Sequence, residues 1–184
     1  MKQRFCLVIL IAFGLMGCME EDITQTLFLE RDGTATWSLL IEHDPATEPE
    51  EEKAKHSRTL AGLASGDNDY MGIMEEVGAY DIDYRILRDQ PPLVYEVRGT
   101  LDDLDHLLEA LLDETPAYWE AEVQDDGQLL HFWLDPNTDR GEVHPMKLVV
   151  PGGSIYRKGK RQKTHVHLKK PGDWHDLTVF WPNP

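Results

Sequence analysis

Two strand-like stretches separated by Asp32-Gly33 constrain the fold of this chain more than any other feature of its sequence. Residues 23–31 and 34–42 are both predicted to be β-strands, and the second alternates apolar with polar residues. Asp-Gly between two strands is typical of a tight hairpin, because both residues tolerate a positive φ. The residues predicted to be buried in the second strand are Ala35, Trp37, Leu39 and Ile41.

Similar patterns continue along the chain and predict further strands and a few helices. The predicted strands cover residues 80–87, 93–97, 117–124, 129–135, 146–150, 153–156, 163–169 and 177–181. The predicted helices run from about residue 48 to 64 behind a Thr47–Glu50 capping box, from 68 to 77, and from Thr100 through a leucine-rich stripe to Pro116. Because hairpins outnumber crossovers, we expect an α+β fold: a mainly antiparallel sheet built from hairpins, with two or three helices packed on one face.

The N-terminus has the three parts of an export signal. Lys2 and Arg4 precede an apolar run, residues 5–13, and the pattern Leu-Met-Gly-Cys follows at residues 15–18. This pattern predicts a bacterial lipoprotein signal that is removed after residue 17, leaving acyl chains, palmitate among them, on Cys18. The alternative is an ordinary secretory signal with a chance cysteine.

The lipoprotein interpretation sets the domain organisation. Residues 1–17 are the signal peptide, 18–22 are the lipidated cysteine with a short tether, and 23–184 are a single α+β domain. Met19 is not the aspartate that retains lipoproteins in an inner membrane. We therefore expect an extracytoplasmic, membrane-anchored protein, on the periplasmic face of the outer membrane if the cell has two membranes.

Charge is distributed unevenly along the chain, whose net charge is −16. Between residues 143 and 172 there are eight basic residues and no acidic one. This segment either folds against the acidic part of the chain or faces a partner of opposite sign, an envelope protein or anionic lipid. The predicted contact residues are Arg157, Lys158, Lys160, Arg161 and Lys163. Nucleic acid is excluded as a partner, because phosphate backbones attract a net positive surface.

Residues that could carry chemistry are sparse, and we expect no enzymatic activity and no cofactor. Cys6 leaves with the signal and Cys18 is acylated, so the mature chain has neither a disulfide nor a free thiol. No nucleophile elbow or phosphate loop is present. His165 and His167 lie two apart on a predicted strand, with further histidines at 131, 144 and 175, but no third ligand is fixed, so no metal site is predicted.

Three local patterns together make the chain resemble the LppM-type domain of bacterial lipoproteins. The first is a lipidated cysteine followed by a strand, Asp-Gly and a second strand, at residues 18–42. The second is a strand that runs into Leu101-Asp102-Asp103-Leu104. The third is Pro151-Gly152, a basic hairpin and two further strands, at residues 151–181. The resemblance implies a lipid-anchored extracytoplasmic α+β domain with an apolar cavity for lipid or glycolipid.

Cys18 is the one functional position that this resemblance transfers. Many such proteins have a C-terminal membrane helix, whereas this sequence ends at Trp181-Pro182-Asn183-Pro184, so we expect Cys18 to be the only anchor. Two functions follow from the sequence. One is a non-enzymatic binding or assembly module in the envelope. The alternative is lipid or glycolipid binding in an apolar cleft lined by Tyr70, Met71, Met74, Leu104 and Leu108.

Overall fold

The computed structural model describes residues 21–43, 49–102, 104, 107, 117–134, 145–162, 164–169, 173, 174 and 176–183. Two consecutive helices occur in these ranges, α1 (Pro49–Ser65) and α2 (Asp69–Glu76). The strands are β1 (Glu21–Leu29), β2 (Ala35–His43), β3 (Tyr80–Arg88), β4 (Val94–Leu101), β5 (Ala117–Gln124), β6 (Gly127–Leu134), β7 (Met146–Val149), β8 (Ser154–Arg157), β9 (Lys160–Arg161), β10 (His165–Leu168) and β11 (Leu177–Pro182).

The strands form one sheet of six and one sheet of five. The order in the larger sheet is β10-β7-β1-β2-β4-β3, and the order in the smaller sheet is β5-β6-β11-β8-β9. Neighbours in the smaller sheet are antiparallel, as are β10 with β7 and β3 with β4. Strands β1 and β7 are parallel, with Leu27 opposite Leu148. The β5–β6 hairpin closes with Gln124 opposite Gly127, which places its turn at residues 125–126.

The predicted fold class, one mainly antiparallel sheet with two or three helices packed on one face, is wrong. The described residues are mostly β and form two sheets, and α1 and α2 follow each other directly along the chain. Apolar alternation determines which residues form a strand but not which strands become neighbours, so the sequence does not distinguish one sheet from two.

The third predicted helix does not begin at Thr100 as the sequence predicts. Thr100 and Leu101 are the last residues of β4, where Thr100 pairs with Tyr80 across the sheet. Leu101 is buried as part of the alternating pattern of that strand. Leu104 and Leu107 are buried as well, and the other residues of the predicted helix after 102 lie outside the described ranges.

The chain divides into two compact units. The first contains residues up to 24 and residues 38–100, and the second contains residues 25–37 and 101–184. The buried apolar residues of the first unit are Leu39, Ile41, Leu63, Tyr70, Ile73, Met74, Val77, Leu93, Tyr95 and Val97. Those of the second include Leu27, Leu29, Trp37, Leu130, Phe132, Leu148, Ile155, Leu168, Trp174, Leu177, Val179 and Trp181.

The predicted buried face of β2 is confirmed. Ala35, Trp37, Leu39 and Ile41 are all buried in the folded chain. The Trp37 indole N–H donates a hydrogen bond to the side-chain oxygen of Gln25 at 3.2 Å, which satisfies the polar end of an otherwise apolar side chain. Trp174 and Trp181 are buried too, whereas the side chains of Trp119 and Trp133 lie outside the described part of the chain.

Strand β3 is less buried than its alternating sequence predicts. Tyr80 is 42% exposed and Ile86 is 40% exposed. In the larger sheet β3 is the last strand, so one of its edges has no neighbouring strand in the described ranges. Its pairing with β4 is regular from Asp83 to Ile86 and irregular on both sides of that stretch. An open edge with apolar residues is therefore a feature of the first unit.

Two glycines in the helices are expected to respond in opposite ways to replacement by alanine. At Gly72 in α2, an added Cβ meets nothing within 4 Å, so Gly72→Ala should raise the free energy of unfolding by about 0.5–1 kcal/mol through helix propensity. At Gly62 in α1, the Cβ would lie 2.6 Å from the backbone oxygen of Asp67, so Gly62→Ala should lower it by about 1–2 kcal/mol. Urea unfolding measures both changes, and stabilisation of both variants would contradict the packing at Gly62.

Candidate functional site

The basic hairpin, residues 154–161, is formed by β8 and β9 with a turn at Lys158-Gly159. Both turn residues have positive φ, 50° and 71°, which suits a two-residue hairpin because its twist matches that of the strands. Arg157 lies opposite Lys160 in the pairing of the two strands. The structure thus brings together four of the five predicted contact residues, and the fifth, Lys163, lies outside the described residues.

Arg157 differs from its basic neighbours because it is held in an intramolecular ion pair. Its guanidinium contacts the carboxylate of Asp173. Asp173 is nearly buried and also accepts a hydrogen bond from the backbone N–H of Lys169 at 2.8 Å. Such a pair joins the base of the hairpin to the segment before β11. The charge matching within the chain that the sequence allows is therefore realised at Arg157.

Lys158, Lys160 and Arg161 are the exposed cations of the hairpin. Arg161 donates a hydrogen bond to the Ser154 hydroxyl at 3.0 Å, and no carboxylate in the described part of the chain forms an ion pair with any of the three. Strand β9 is the end strand of the smaller sheet, where basic residues also discourage unwanted strand pairing. Lys160 and Arg161 are thus two adjacent cations presented to solvent on strand β9.

An open depression of about 730 Å³ lies beside the hairpin turn. Its walls are His131, Phe132, Lys158, Gly159, Asp176 and Thr178. His131 Nδ1 is 3.1 Å from Thr178 Oγ1, and the backbone N–H of Lys158 donates to the backbone oxygen of Asp176 at 3.2 Å. A cation, a carboxylate, an imidazole and a hydroxyl therefore share one cavity. Sequence analysis missed this site because its residues come from separate strands and turns, and no local pattern joins them.

A second group, the buried cluster, consists of Glu21, His43, Lys55 and Tyr70 in the first unit. His43 is 1% exposed and Glu21 is 8% exposed. The Tyr70 hydroxyl donates a hydrogen bond to the Glu21 carboxylate. His43 Nε2 lies 3.0 Å and Lys55 Nζ 3.9 Å from Glu21 Oε1. The cluster connects β1 and β2 with both helices through one carboxylate.

The environment of Glu21 favours its charged form. Burial by itself raises the pKa of Glu21, but His43, the Tyr70 hydroxyl and the Lys55 ammonium together outweigh burial, and the pKa is lowered from its ordinary value of 4.5. Burial and the hydrogen bond to Glu21 raise the pKa of Tyr70 far above its ordinary range. Tyr70 therefore stays a hydrogen-bond donor to a charged carboxylate.

The His43 ring lies in the buried cluster without a well-directed hydrogen bond to the described residues. Its ring nitrogens have no hydrogen-bond partner in the described residues, because the contact of Nε2 with Glu21 has the distance of an ion pair but not the direction of a hydrogen bond. Its ring meets the edge of Tyr95 with centroids 5.7 Å apart. Sequence analysis did not identify this cluster, because its members are separated by tens of residues and give no local signal.

The two histidines on β10 lie next to each other, as their spacing predicts. The rings of His165 and His167 are nearly perpendicular, with centroids 6.1 Å apart. In the described ranges no group of three or more His, Cys, Asp or Glu side chains is arranged to hold a metal ion. His144 and His175, the other candidate ligands, lie outside those ranges.

The side chains that the sequence suggests for an apolar cleft are mostly packed. Tyr70, Met74 and Leu104 are buried, Met71 is half-buried, and Leu108 lies outside the described residues. Tyr70 belongs to the buried cluster and its ring lies 6.4 Å from that of Tyr95. These residues act as core in their own units.

Comparisons with known proteins give one solved structure. The chain is similar to the folded domain of LppM from Mycobacterium tuberculosis, determined by NMR, with 11% sequence identity, a TM-score of 0.37 and coverage of 90% of this chain and 92% of that chain. No protein-family model matches the chain, and no curated protein is significantly similar to it. In the part of the chain that the structure describes, no helix has the length and apolar character needed to cross a bilayer.

Proposed function

We propose that this chain is a lipid-anchored protein of the bacterial envelope, and that it acts as a non-enzymatic binding module whose basic hairpin contacts an acidic protein surface. The observation that carries this proposal is the exposure of Lys160 and Arg161 without an ion pair to any carboxylate of the described residues, in a chain of net charge −16. A strongly acidic chain has ample carboxylates to pair with two cations. Cations that nevertheless face solvent on the end strand of a sheet are suited to an external partner.

The anchor supports the same proposal from the other end of the chain. Cys18 precedes Glu21 by three residues, a separation that spans at most about 10 Å when extended. Because Glu21 begins β1 and belongs to the buried cluster, folded structure starts within the stretch 18–22 that the sequence predicts as a tether. Two or three acyl chains on Cys18 would hold that unit at the membrane, since each buried methylene contributes ~0.8 kcal/mol.

An acidic protein fits the hairpin better than anionic lipid does. The attraction of each basic residue near an anionic membrane surface to the lipid headgroups contributes only about 1 kcal/mol. The three exposed cations of the hairpin, Lys158, Lys160 and Arg161, therefore give only modest lipid attraction. A protein carboxylate can instead meet Arg161 in a bidentate geometry, which adds direction as well as energy.

Lipid or glycolipid binding in an apolar cleft has less support. The candidate lining residues Tyr70 and Met74 are buried in the first unit. The open depression of the second unit contains Lys158, Asp176 and His131, and such polar walls suit a headgroup or a peptide better than an acyl chain.

Charge reversal in the basic hairpin is expected to remove partner binding. A photo-reactive amino acid at Gln162, next to the hairpin, should cross-link the membrane-anchored chain to one envelope protein in cells. Lys160→Glu with Arg161→Glu should reduce this adduct at least about tenfold, because like charges then face each other across the contact. The variant should leave the thermal midpoint of the chain nearly unchanged, since both side chains are exposed.

The matched control reverses two exposed cations on α1, Lys53→Glu with Arg58→Glu, and should leave the adduct unchanged. Equal loss in both double variants would show that net charge, not the hairpin, determines binding. If no protein adduct forms but the wild-type chain binds anionic and not neutral phosphatidylcholine vesicles through Lys160 and Arg161, lipid replaces protein as the partner.

A further inference from the structure

The open edge of β3 has a sequence that is complementary to itself. Residues 82–86 read Ile-Asp-Tyr-Arg-Ile. An isoleucine stands at each end, and Asp83 and Arg85 carry opposite charges on either side of Tyr84. When two copies of a strand pair antiparallel about a two-fold axis through one residue, positions equally far from that residue lie opposite each other. An axis at Tyr84 therefore places Asp83 opposite Arg85, and Ile82 opposite Ile86, twice each. We propose that a second copy of this chain binds at β3, so that the larger sheets of two chains join edge to edge.

The face of the sheet that carries Asp83 and Arg85 is already arranged for this pairing. Within one chain, Asp83 lies opposite Arg98 and Arg85 lies opposite Glu96 on β4. Glu96 is further held by the Ser38 hydroxyl at 2.7 Å and by Arg98 at 2.8 Å. In the dimer, one row of charged side chains crosses the new edge. Its order is Glu96 and then Arg85 of one copy, followed by Asp83 and then Arg98 of the second copy, so the charges alternate in sign. No like charges face each other in this row.

The opposite face of β3 contributes apolar contacts. Ile86 lies opposite the buried Tyr95 of β4, and Tyr84 lies opposite the buried Val97. Ile86 is 40% exposed because nothing covers it on the open side in the described ranges. Pairing about Tyr84 brings Ile82 of the second copy against Ile86. Cross-strand apolar and opposite-charge pairs of this kind are the usual source of stability between antiparallel strands.

The proposed pairing also gives the backbone N–H of Tyr84 a new acceptor. Within one chain this N–H donates a hydrogen bond to the Asp83 carboxylate at 2.7 Å. In the dimer the two Tyr84 residues exchange N–H to C=O hydrogen bonds, and the Asp83 carboxylate is released to pair with Arg85 of the second copy.

Charged residues on an edge strand commonly prevent pairing with another strand. On β3 the charges form a self-complementary pattern, and for this reason we assign them to pairing between two copies. Protection by charge works when like charges meet or when charges must be buried. Across a two-fold axis at Tyr84 each aspartate meets an arginine, and both are solvent-exposed. The regular stretch of β3 is short, so we expect a reversible association that membrane anchoring favours by raising the local concentration.

A cysteine at the axis tests the pairing in the full-length, membrane-bound chain. Opposed residues in a hydrogen-bonded antiparallel pair have Cα atoms about 5.5 Å apart, within the range of about 4.4–6.8 Å that a disulfide spans. Tyr84→Cys should therefore give a covalent dimer under mild oxidation. The wild-type chain and Val123→Cys, an exposed site on β5, should give none or far less.

Charge exchange between two copies then tests the register. In the Tyr84→Cys background, Asp83→Lys and Arg85→Glu should each reduce the covalent dimer at least about tenfold, because each places like charges opposite each other. Co-expression of the two variants with different tags should restore a mixed dimer, since the introduced lysine then meets the introduced glutamate, and the remaining Arg85 meets the remaining Asp83. Restoration also shows that both variants fold. Failure of Tyr84→Cys to cross-link above the Val123→Cys control, or a dimer that ignores these charges, would overturn the proposal.

Discussion

Glu21→Ala is expected to lower the free energy of unfolding by about 3 kcal/mol at neutral pH. Removing one member of a buried charged pair leaves the other without its counter-charge, and such changes cost about 3–5 kcal/mol. Lys55, which also contacts the Glu21 carboxylate, is 23% exposed and keeps part of its hydration, so we place the cost at the lower end of this range. The Tyr70 hydroxyl also loses its acceptor in this variant. Urea unfolding of the two proteins side by side measures the difference.

The cost of Glu21→Ala should depend on pH with a definite sign. Because the pKa of Glu21 is lowered on folding, the charged carboxylate stabilises the folded chain above its ordinary pKa of 4.5. That stabilisation is lost as the pH falls through the lower pKa of the folded state. The difference between wild type and variant should therefore be largest near neutral pH and shrink in acid.

A matched control is Glu30→Ala, which removes an exposed carboxylate just after β1. It should change the free energy of unfolding by less than about 0.5 kcal/mol at either pH. Tyr70→Phe, which removes only the donated hydroxyl, should cost about 1–2 kcal/mol. Equal effects of Glu21→Ala and Glu30→Ala would contradict the buried cluster as a source of stability.

Cys18→Ser is expected to abolish lipid attachment completely. A serine hydroxyl is a far weaker nucleophile than a thiolate and does not form the thioether on which processing depends. In cells fed an alkyne-labelled fatty acid, the wild-type chain should incorporate label and the variant none. The variant should also retain residues 1–17 and migrate as a larger species.

Replacement of the other cysteine provides the control for lipid attachment. Cys6→Ser lies within the predicted signal and should leave both labelling and processing intact. Persistent label on Cys18→Ser would move the acylation to another residue. Unlabelled wild-type chain would remove the anchor from the proposed function.

Local patterns predicted the elements of this fold much better than their assembly. The Asp32-Gly33 turn and the alternation after it identify the first two strands within two residues. Helix α1, predicted for about 48–64, runs from Pro49 to Ser65. These features depend on neighbouring residues, for which turn conformation and capping give a direct signal.

Long-range pairing left no comparable signal. The parallel contact of β1 with β7 joins residues more than a hundred positions apart, and nothing in either strand specifies the other. Thr100 resembled a helix start because leucines recur after it at helical spacing, yet β4 extends through Leu101. Pairing with β3 thus prevailed over the local helical pattern at this position.

The candidate sites also differ in how far the sequence alone predicts them. The basic hairpin was predictable because its cations lie close together in the sequence. The ion pair of Arg157 with Asp173 was not predictable, and it distinguishes Arg157 from the exposed Lys158, Lys160 and Arg161. The residues of the buried cluster come from the start of β1, the end of β2 and both helices. Only the folded chain therefore reveals the cluster.

The mass of the N-terminal peptide from protein purified out of bacterial membranes tests the central claim most directly. The account predicts a mature chain that begins at Cys18 and carries a diacylglyceryl group on its sulfur, with or without a further acyl chain on its amino group. A peptide that still contains residues 1–17, or one with an unmodified Cys18 thiol, would contradict it.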